Sequence, residues 1–245
     1  MNLSKKIVLV TGAGKGIGSD LVSTLLDYGA IVYCIIRSKS DYKKMANLSN
    51  CYVVTGDIKK LSSIKKIFSL AKKNKHHINC LVNNAGQRQR IPFDDLNIKK
   101  IREIFEINFF AQFSCIKEFL KNYKNSKEQG SIINIGSIVG QIGFDELAGY
   151  ASTKSALTGL SKSLAVELRL KKIRCNVVSP GFIKTSFFKN FKKKKKLYDW
   201  TLQRTPMRRW GEKNEVSELI SFLISNNSSY INGEVINVDG GWLSS

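Results

Sequence analysis

Short apolar stretches alternate along the chain with longer stretches in which apolar residues recur every three or four positions. The short stretches are rich in valine and isoleucine and apolar at almost every residue, which is typical of strands buried on both faces of a parallel sheet. The longer stretches, of which Leu157-Leu160-Leu164-Leu168 is one, have the period of an amphipathic helix. The pattern predicts seven strands, at residues 7–11, 31–36, 51–55, 79–83, 131–136, 173–178 and 235–238.

Seven strands separated by helices predict an α/β protein with a single-domain Rossmann fold, in which a doubly wound, seven-stranded parallel sheet carries helices on both faces. A chain of 245 residues fits one such domain, residues 1–245. Residues 182–211 form a long break in the pattern and follow the sixth strand. Because ligands in open α/β sheets bind at the carboxyl ends of the strands, we expect a substrate lid around 182–211.

The chain is strongly basic, with a formal net charge of +21 and its densest run of lysines at Lys192–Lys196. Such a charge fits a solvated basic surface, and it also fits the attraction of a phosphorylated, carboxylated or carrier-bound substrate. Nucleic acid is not the expected partner, because the sequence has no basic motif interleaved with aromatic residues.

Hydropathy and cysteine use predict a cytoplasmic protein that does not bind membranes. No apolar run reaches the roughly 18 residues of a membrane-spanning helix. The apolar stretch Ile7–Val10 is too short for the core of a signal peptide. The cysteines are odd in number and form no Cys-x-x-Cys pair, which predicts reduced, mostly buried thiols and no metal site. They are Cys34, Cys51, Cys80, Cys115 and Cys175.

A glycine-rich turn follows the first strand. Residues Ile7–Thr11 lead directly into this turn, and an amphipathic helical stretch comes after it. Glycines at such a turn let the backbone approach a pyrophosphate, which then faces the positive end of the helix. The turn has the spacing T-G-x-x-x-G-x-G, slightly wider than the common dinucleotide-binding motif. It predicts cofactor contacts at Gly12, Gly14, Lys15, Gly16, Ile17 and Gly18.

The end of the second strand bears on the choice between NAD(H) and NADP(H). An acidic residue at that point would hydrogen-bond the 2′-hydroxyl of the adenosine ribose. Here the strand is followed by Arg37, and no carboxylate occurs before Asp41. Arg37 and Lys15 could together hold a 2′-phosphate, so the sequence favours NADP(H) over NAD(H).

Tyr150 and Lys154 lie four residues apart at the start of a helical stretch and therefore share one face of that helix. A tyrosine needs its pKa of ~10 lowered by roughly 3 units, about 4 kcal/mol, to exchange protons near neutral pH. A nearby ammonium and a positively charged nicotinamide ring would lower it. Ser137 precedes Tyr150 by 13 residues and could bond a substrate carbonyl oxygen. Tyr123 and Lys127 have the same spacing without such a serine, which we interpret as chance.

These motifs together resemble those of the short-chain dehydrogenase/reductase family, and the resemblance covers nearly the whole chain. Further motifs that carry it are Gly56-Asp57-Ile58, Asn83-Asn84-Ala85-Gly86, Asn108 and Pro180–Thr185. The resemblance implies an NAD(P)(H)-dependent oxidoreductase that interconverts a secondary alcohol and a ketone. Its implied catalytic residues are Asn108, which holds a water in the proton relay, Ser137, Tyr150 and Lys154. The further cofactor contacts that it implies are Asp57, Ile58, Asn84, Ala85, Gly86, Tyr150, Lys154, Pro180, Gly181, Ile183 and Thr185.

Two subgroups of that family compete for the substrate. Gly181-Phe182-Ile183 and Gly233-Glu234 resemble 3-oxoacyl-[acyl-carrier-protein] reductases. Residues Arg204–Gly211 and Val238–Leu243, and Arg90 four residues after the NNAG motif, are similar to sugar-acid dehydrogenases such as gluconate 5-dehydrogenase. The sequence favours a sugar-acid or other hydroxylated substrate. Arg90 would bind a substrate carboxylate in a bidentate manner through its guanidinium. The predicted substrate contacts are Arg90, Ser137 and Tyr150.

Two expectations concern the protein as a whole. A non-catalytic NADPH-binding regulator is an alternative of another class, since one fold hosts many functions; the intact set of Ser137, Tyr150 and Lys154 argues against it. The resemblance also implies a homotetramer or homodimer, with long helices at residues 95–122 and 148–170 in the interface.

Overall fold

The computed structural model describes residues 1–123 and 129–245, and within them seven parallel strands alternate with helices. Lys127, of the Tyr123 and Lys127 pair, lies outside the described residues. The strands are β1 (Ile7–Thr11), β2 (Ile31–Ile36), β3 (Cys51–Thr55), β4 (Cys80–Asn83), β5 (Gly130–Ile135), β6 (Ile173–Pro180) and β7 (Val235–Val238). The α-helices are α1 (Gly16–Asp27), α2 (Lys39–Met45), α3 (Leu61–Lys73), α4 (Ile98–Phe105), α5 (Ala111–Asn122), α6 (Ala148–Glu167), α7 (Ser186–Lys192), α8 (Lys195–Arg204) and α9 (Lys213–Ile224).

The strands form one sheet in the order β3-β2-β1-β4-β5-β6-β7. The chain winds outward from β1 through β2 to β3, and then crosses back to place β4 on the other side of β1. The winding reverses between β1 and β4, and the crevice at the carboxyl ends of such a strand pair is where ligands bind in this class of fold. The predicted fold, a doubly wound, seven-stranded parallel sheet in a single domain, is confirmed.

A separate hydrophobic core lies on each face of the sheet. On one face α1 packs against α9, and Leu21, Leu25 and Ile220 are fully buried between these helices and the strands. On the other face α3 and α5 bury side chains such as Ile67 and Phe119. Each fully buried side chain of this size contributes about 1.5–3 kcal/mol to folding, which explains why the strands are apolar on both faces.

The two long helices expected from the sequence have different bounds in the structure. The 95–122 stretch is divided into α4, a π-helical turn at Glu106–Phe110 and α5. The 148–170 stretch is helical as α6 only as far as Glu167, and a 3₁₀ turn follows it. A π-turn widens the helix locally and is frequently found at functional sites. Here it contains Asn108, whose side chain is fully buried.

Residues 182–211 contain α7, α8 and a loop that returns to the sheet. A bridge between Ile183 and Gly211 closes the base of this segment. Trp210 is buried at its centre, and the Trp210 Nε1 donates a hydrogen bond of 2.8 Å to Thr201 Oγ1. Four aromatic rings pack around this indole, from Phe182, Phe188, Phe191 and Tyr198. The segment therefore has a hydrophobic core of its own.

All five cysteines are buried and unbridged. Those on the adjacent strands β2 and β3, Cys34 and Cys51, have sulfur atoms 3.8 Å apart. In the part of the chain that the structure describes, no helix has the length and apolar character needed to cross a bilayer.

Candidate functional site

The glycine-rich turn is joined to the end of β4. Gly12 has a φ of +64°, and a Cβ at this residue would lie 2.7 Å from Ala85 Cα. A Cβ at Gly18 would lie 2.4 Å from the carbonyl oxygen of Gly12, so neither position accommodates a side chain. Thr11 Oγ1 accepts hydrogen bonds from the backbone N–H groups of Asn84 (3.1 Å) and Ala85 (3.0 Å). The turn and the residues after β4 therefore form one unit at the point where the winding reverses.

A cavity of about 620 Å³, which we call the loop cavity, lies beside this turn. α1 begins at its wall, so the positive end of the helix dipole borders the cavity. Glycine backbone, helix N-terminus and two cations together fit the adenosine and phosphate groups of NAD(P). The predicted cofactor residues that line it are Gly12, Gly14, Lys15, Gly16, Ile17, Arg37, Asp57, Ile58, Asn84, Ala85, Gly86 and Thr185. Gly18 lines none of the cavities described here and instead packs against Gly12 and Asn84.

Asp41 also lines the loop cavity. It was not predicted to do so, because it does not directly follow β2 in the sequence. A Cβ at Gly14 would lie 2.6 Å from Asp41 Oδ2, so the carboxylate packs directly on this glycine. Asp41 lies in the first turn of α2, which is capped by Ser38, whose Oγ accepts a hydrogen bond of 3.2 Å from the backbone N–H of Ser40. Arg37 and Asp41 thus present opposite charges to one cavity.

Ser137, Tyr150 and Lys154 meet in a second cavity of about 380 Å³, the central cavity. Ser137 follows β5 and caps a 3₁₀ turn, where it accepts a hydrogen bond of 3.2 Å from the backbone N–H of Val139. Tyr150 and Lys154 lie on the first turns of α6, as the spacing predicted. The Ser137 side chain lies close enough to the Tyr150 hydroxyl to lower the pKa of the tyrosine. A carbonyl oxygen in this cavity could contact both hydroxyl groups at once.

Burial shifts the pKa values of both titratable groups in the central cavity. Desolvation raises the pKa of Tyr150, while the Ser137 side chain and the positive charge of Arg88 lower it. Desolvation lowers the pKa of Lys154 from 10.5 to about 8. The Lys154 ammonium lies 5.8 Å from the centroid of the Tyr150 ring and 2.7 Å from the carbonyl oxygen of Ile135. Lys154 and Arg88 are therefore the cations placed to favour the tyrosinate.

Asn108 hydrogen-bonds the backbone of Gln87, a residue that lines the central cavity. The Asn108 Oδ1 accepts from the backbone N–H of Gln87 at 2.8 Å, and the Asn108 Nδ2 donates to the carbonyl oxygen of Gln87 at 2.9 Å. The same Nδ2 lies 3.2 Å from Thr153 Oγ1 on α6. Nearby, Gln112 Nε2 donates to the carbonyl oxygen of Ala85 at 2.9 Å. The π-helical turn thus fixes the backbone that follows β4.

The segment after β6 forms the opposite wall of the central cavity. Pro180, Gly181, Ile183 and Thr185, all predicted cofactor contacts, line it. The backbone N–H of Gly181 donates to the carbonyl oxygen of Val238 at 3.0 Å, which ties this segment to β7. The central cavity shares Asn84, Gly86 and Thr185 with the loop cavity. A nicotinamide group in the central cavity could therefore be continuous with a dinucleotide in the loop cavity.

A third cavity of about 470 Å³, the arginine cavity, lies on the other side of the central one, and the two share Arg88, Phe144 and Phe182. It is lined by three arginines, by aromatic rings and, among the described residues, by a single carboxylate. These residues are Arg88, Arg90, Arg204, Phe144, Phe182, Phe191, Trp200, Trp242 and Asp145. The predicted substrate contact Arg90 is present here, but its guanidinium is paired with Glu146 and lies 3.9 Å from Asp145.

Several residues of these cavities were not predicted to contact a ligand. Arg88 carries no motif signal beyond its place in a basic tetrapeptide after the NNAG motif. Trp200 and Arg204 lie on α8, in the lid segment, and Trp242 lies after β7. For Arg204 and Trp242 the available signal was their place in the stretches Arg204–Gly211 and Val238–Leu243, which resemble sugar-acid dehydrogenases.

A family model described as enoyl-(acyl carrier protein) reductase matches residues 12–243. The 3-oxoacyl-[acyl-carrier-protein] reductase FabG of Buchnera aphidicola subsp. Acyrthosiphon pisum is 32% identical over 243 residues, 98% of each chain. A tropinone reductase homolog of Arabidopsis thaliana is 33% identical over 247 residues, 98% of this chain and 93% of that protein.

Solved structures with the same fold include dehydrogenases. A protein of Agrobacterium tumefaciens provisionally assigned as a gluconate dehydrogenase has a TM-score of 0.92 and 27% identity, and the match covers 100% of this chain and 98% of the other. A 4-hydroxyisoleucine dehydrogenase complexed with NADH has a TM-score of 0.91 and 28% identity, and the match covers 98% and 99% of the two chains.

Proposed function

Because the chain belongs to the short-chain dehydrogenase/reductase family of NAD(P)-dependent oxidoreductases, we propose that it interconverts a secondary alcohol and a ketone on a hydroxylated, carboxylate-bearing substrate of the sugar-acid type. The observation that carries the substrate class is the arginine cavity, which adjoins the central cavity and combines three guanidinium groups with one carboxylate among the described residues. A substrate that spans both cavities would place its ketone beside Tyr150 and its anionic group among the arginines.

The proposed chemistry in the direction of reduction divides between Ser137 and Tyr150. The bound nicotinamide cofactor supplies a hydride to the carbonyl carbon. The Ser137 hydroxyl donates a hydrogen bond to the carbonyl oxygen and stabilises the negative charge that develops on it. The Tyr150 hydroxyl transfers its proton to the same oxygen, which yields the alcohol and leaves a tyrosinate. In the direction of oxidation the tyrosinate removes the proton from the alcohol.

Lys154 and Asn108 would support this proton transfer without contacting the reacting carbon. The Lys154 ammonium lies 5.8 Å from the centroid of the Tyr150 ring and, when protonated, would favour the tyrosinate. Asn108 would act as the relay residue expected from the family, and its side chain also fixes Gln87 next to the cavity. All four predicted catalytic residues, Asn108, Ser137, Tyr150 and Lys154, keep their roles in this proposal.

For the cofactor, we propose NADP(H) as the preferred form. Lys15 and Arg37 line the loop cavity and would attract a 2′-phosphate, and the exposed Arg37 needs little rearrangement to do so. Asp41 beside Gly14 works against this preference, because a carboxylate repels a phosphate and accepts a hydrogen bond from a ribose hydroxyl. Lys15 and Arg37 favour NADP(H), and the two carboxylates that also line the loop cavity, Asp41 and Asp57, reduce the margin.

The second candidate function is 3-oxoacyl-[acyl-carrier-protein] reduction. It is favoured by the apolar part of the arginine cavity, where Phe144, Leu197 and Trp242 could pack against an acyl chain. The FabG relatives carry that activity in their name. The basic run Lys192–Lys196, next to this cavity in the lid segment, would then attract an acidic carrier.

The test is NADPH oxidation, followed by absorbance, with 5-ketogluconate and an acetoacetyl thioester in parallel. Turnover of the keto acid supports the proposed function, and turnover of the thioester alone replaces it with the second candidate. Tyr150→Phe, which lacks the transferable proton, is the control, and it should bind NADPH while losing turnover. A wild-type protein that binds NADPH but reduces no ketone would instead support the non-catalytic regulator.

Two further expectations remain proposals. Residues 182–211 would act as the substrate lid, since α8 contributes Leu197, Trp200 and Arg204 to the arginine cavity. A homotetramer or homodimer would use the faces around α5 and α6, and Phe110 and Phe113 are exposed there. Light scattering of the purified protein would measure that assembly.

A further inference from the structure

Two arginines that lie two residues apart after β4 have different electrostatic environments. The Arg90 Nε contacts Glu146, and the Arg90 Nη2 lies 3.9 Å from Asp145, so carboxylates of this chain balance its charge. Arg90 lines the arginine cavity alone. Arg88 lines both the arginine cavity and the central cavity, and its positive charge acts on Tyr150. Arg88 is therefore the arginine that stands between the two cavities.

The backbone on either side of Arg88 is held in place. Asn108 hydrogen-bonds both the N–H and the carbonyl oxygen of Gln87, the residue before Arg88. Beyond Arg90, the backbone N–H of Ile91 donates to the carbonyl oxygen of Glu146 at 2.8 Å. Because the side chain of Asn108 is fully buried and hydrogen-bonds Gln87, the backbone that carries Arg88 is held in place beside the two cavities.

We propose that Arg88 determines substrate specificity: its guanidinium binds the carboxylate of the substrate while Ser137 and Tyr150 contact the carbonyl oxygen of the same molecule. This proposal rests on the proposed function. A guanidinium presents two parallel N–H donors that match a carboxylate, which gives both affinity and a defined orientation. The shared wall of the two cavities is the place from which one group can hold an anion close to the reacting ketone.

Binding of the carboxylate would also change the proton affinity of Tyr150. In the unliganded protein the positive charge of Arg88 lowers the pKa of Tyr150. A bound carboxylate offsets that charge, so the pKa of Tyr150 rises and the protonated form, which ketone reduction requires, is favoured. An acidic substrate would in this way help to prepare its own proton donor, whereas an uncharged ketone would not.

The experiment compares 5-ketogluconate with L-sorbose, an uncharged ketose that carries a hydroxymethyl group in place of the carboxylate. Arg88→Gln should raise KM for the keto acid by about 10- to 100-fold, since a charge-assisted pair is lost, and should change KM for L-sorbose by less than about threefold. Arg88→Lys keeps the positive charge but lacks the two parallel N–H donors, and it should recover part of the affinity for the keto acid. Arg90→Gln is the matched comparison, because it removes the same group at a position that does not reach the central cavity.

A second readout separates this role from a structural one. The alkaline limb of kcat/KM for L-sorbose reduction reports the ionisation of the free enzyme. Relative to wild type, this limb should lie at higher pH in Arg88→Gln. It should lie at the wild-type pH in Arg88→Lys and in Arg90→Gln. Equal losses on both substrates, or a keto-acid KM that Arg88→Gln leaves unchanged, would overturn the role of Arg88 while the proposed function stands. A wild-type enzyme that reduces no keto acid would overturn the proposed function and this inference with it.

Discussion

The ammonium of Lys154 donates a hydrogen bond of 2.7 Å to the carbonyl oxygen of Ile135, the last residue of β5. Lys154 is almost fully buried, and burial lowers its pKa from 10.5 to about 8. The protein interior disfavours this charge. The fold nevertheless places Lys154 beside Tyr150 in the central cavity.

The first prediction concerns the pH dependence of stability. The unfolded chain binds the Lys154 proton more tightly than the folded chain, so the wild-type protein gains stability as the pH rises from about 8 to about 10.5. A shift of this size corresponds to about 3 kcal/mol. Lys154→Met removes the titrating group. The free energy of unfolding of this variant minus that of wild type should therefore be greatest below pH 8 and should decline above pH 8.

The control is Lys162→Met, which changes an exposed lysine on the same helix. Urea denaturation of the three proteins between pH 7 and 10.5 would measure the differences. A gap between Lys154→Met and wild type that stays constant across this range would contradict the prediction.

The second prediction concerns the cofactor. Asp41→Asn removes the carboxylate that packs on Gly14 and should raise the preference for NADPH over NADH by roughly tenfold, while Arg37→Ala should lower it by a similar factor. The measurement is the ratio of kcat/KM for the two cofactors. Lys44→Gln, an exposed change on the same helix as Asp41, should leave the ratio unchanged. If Asp41→Asn also leaves it unchanged, the carboxylate does not contact the ribose.

The third prediction uses two glycines with opposite surroundings. A Cβ at Gly18 would lie 2.4 Å from the carbonyl oxygen of Gly12, so Gly18→Ala must push the glycine-rich turn out of place. We expect a loss of stability of about 1–3 kcal/mol and weaker NADPH binding. Gly159 lies inside α6, and apart from the adjacent residues and backbone of that helix no atom lies within 4 Å of an added Cβ. Gly159→Ala should therefore stabilise the protein by about 1 kcal/mol.

Thermal unfolding and NADPH titration of both variants test this pair. Equal effects of the two substitutions would show that helix propensity, and not the close approach of the turn, governs the response.

The fourth prediction tests how the lid segment is held. Thr201→Val is nearly isosteric, but it leaves the buried N–H of Trp210 without the acceptor that it has at 2.8 Å. A buried donor without a partner costs about 1–3 kcal/mol. We expect faster hydrogen exchange across α7 and α8 and a higher KM, with exchange in the sheet unchanged. Combining Thr201→Val with Trp210→Phe, which removes the donor, should give less than the sum of the two single losses.

Much of this protein follows from the sequence itself, for local reasons. The bounds of β1, β2, β3 and β7 agree with the predicted strands to the residue, because a short run rich in valine and isoleucine is a local signal of a strand. The glycine-rich turn and the four-residue spacing of Tyr150 and Lys154 are also local features, since backbone geometry and helix period alone dictate them. Ser137 was identified by its place 13 residues before Tyr150 and by the resemblance to the family.

The tertiary structure decided which of the remaining charges share a site. Asp41, in the first turn of α2, packs on Gly14, and Arg204, in the lid segment, lines the same cavity as Arg88, and neither relationship can be read from spacing in the sequence. The π-helical turn at Asn108 depends on packing against α6, because helix propensity does not distinguish it from a regular turn. The same packing directs Arg88 toward Tyr150, whereas Glu146 neutralises Arg90. The sequence placed both arginines beside the site, but only the fold determined which of them lines both cavities.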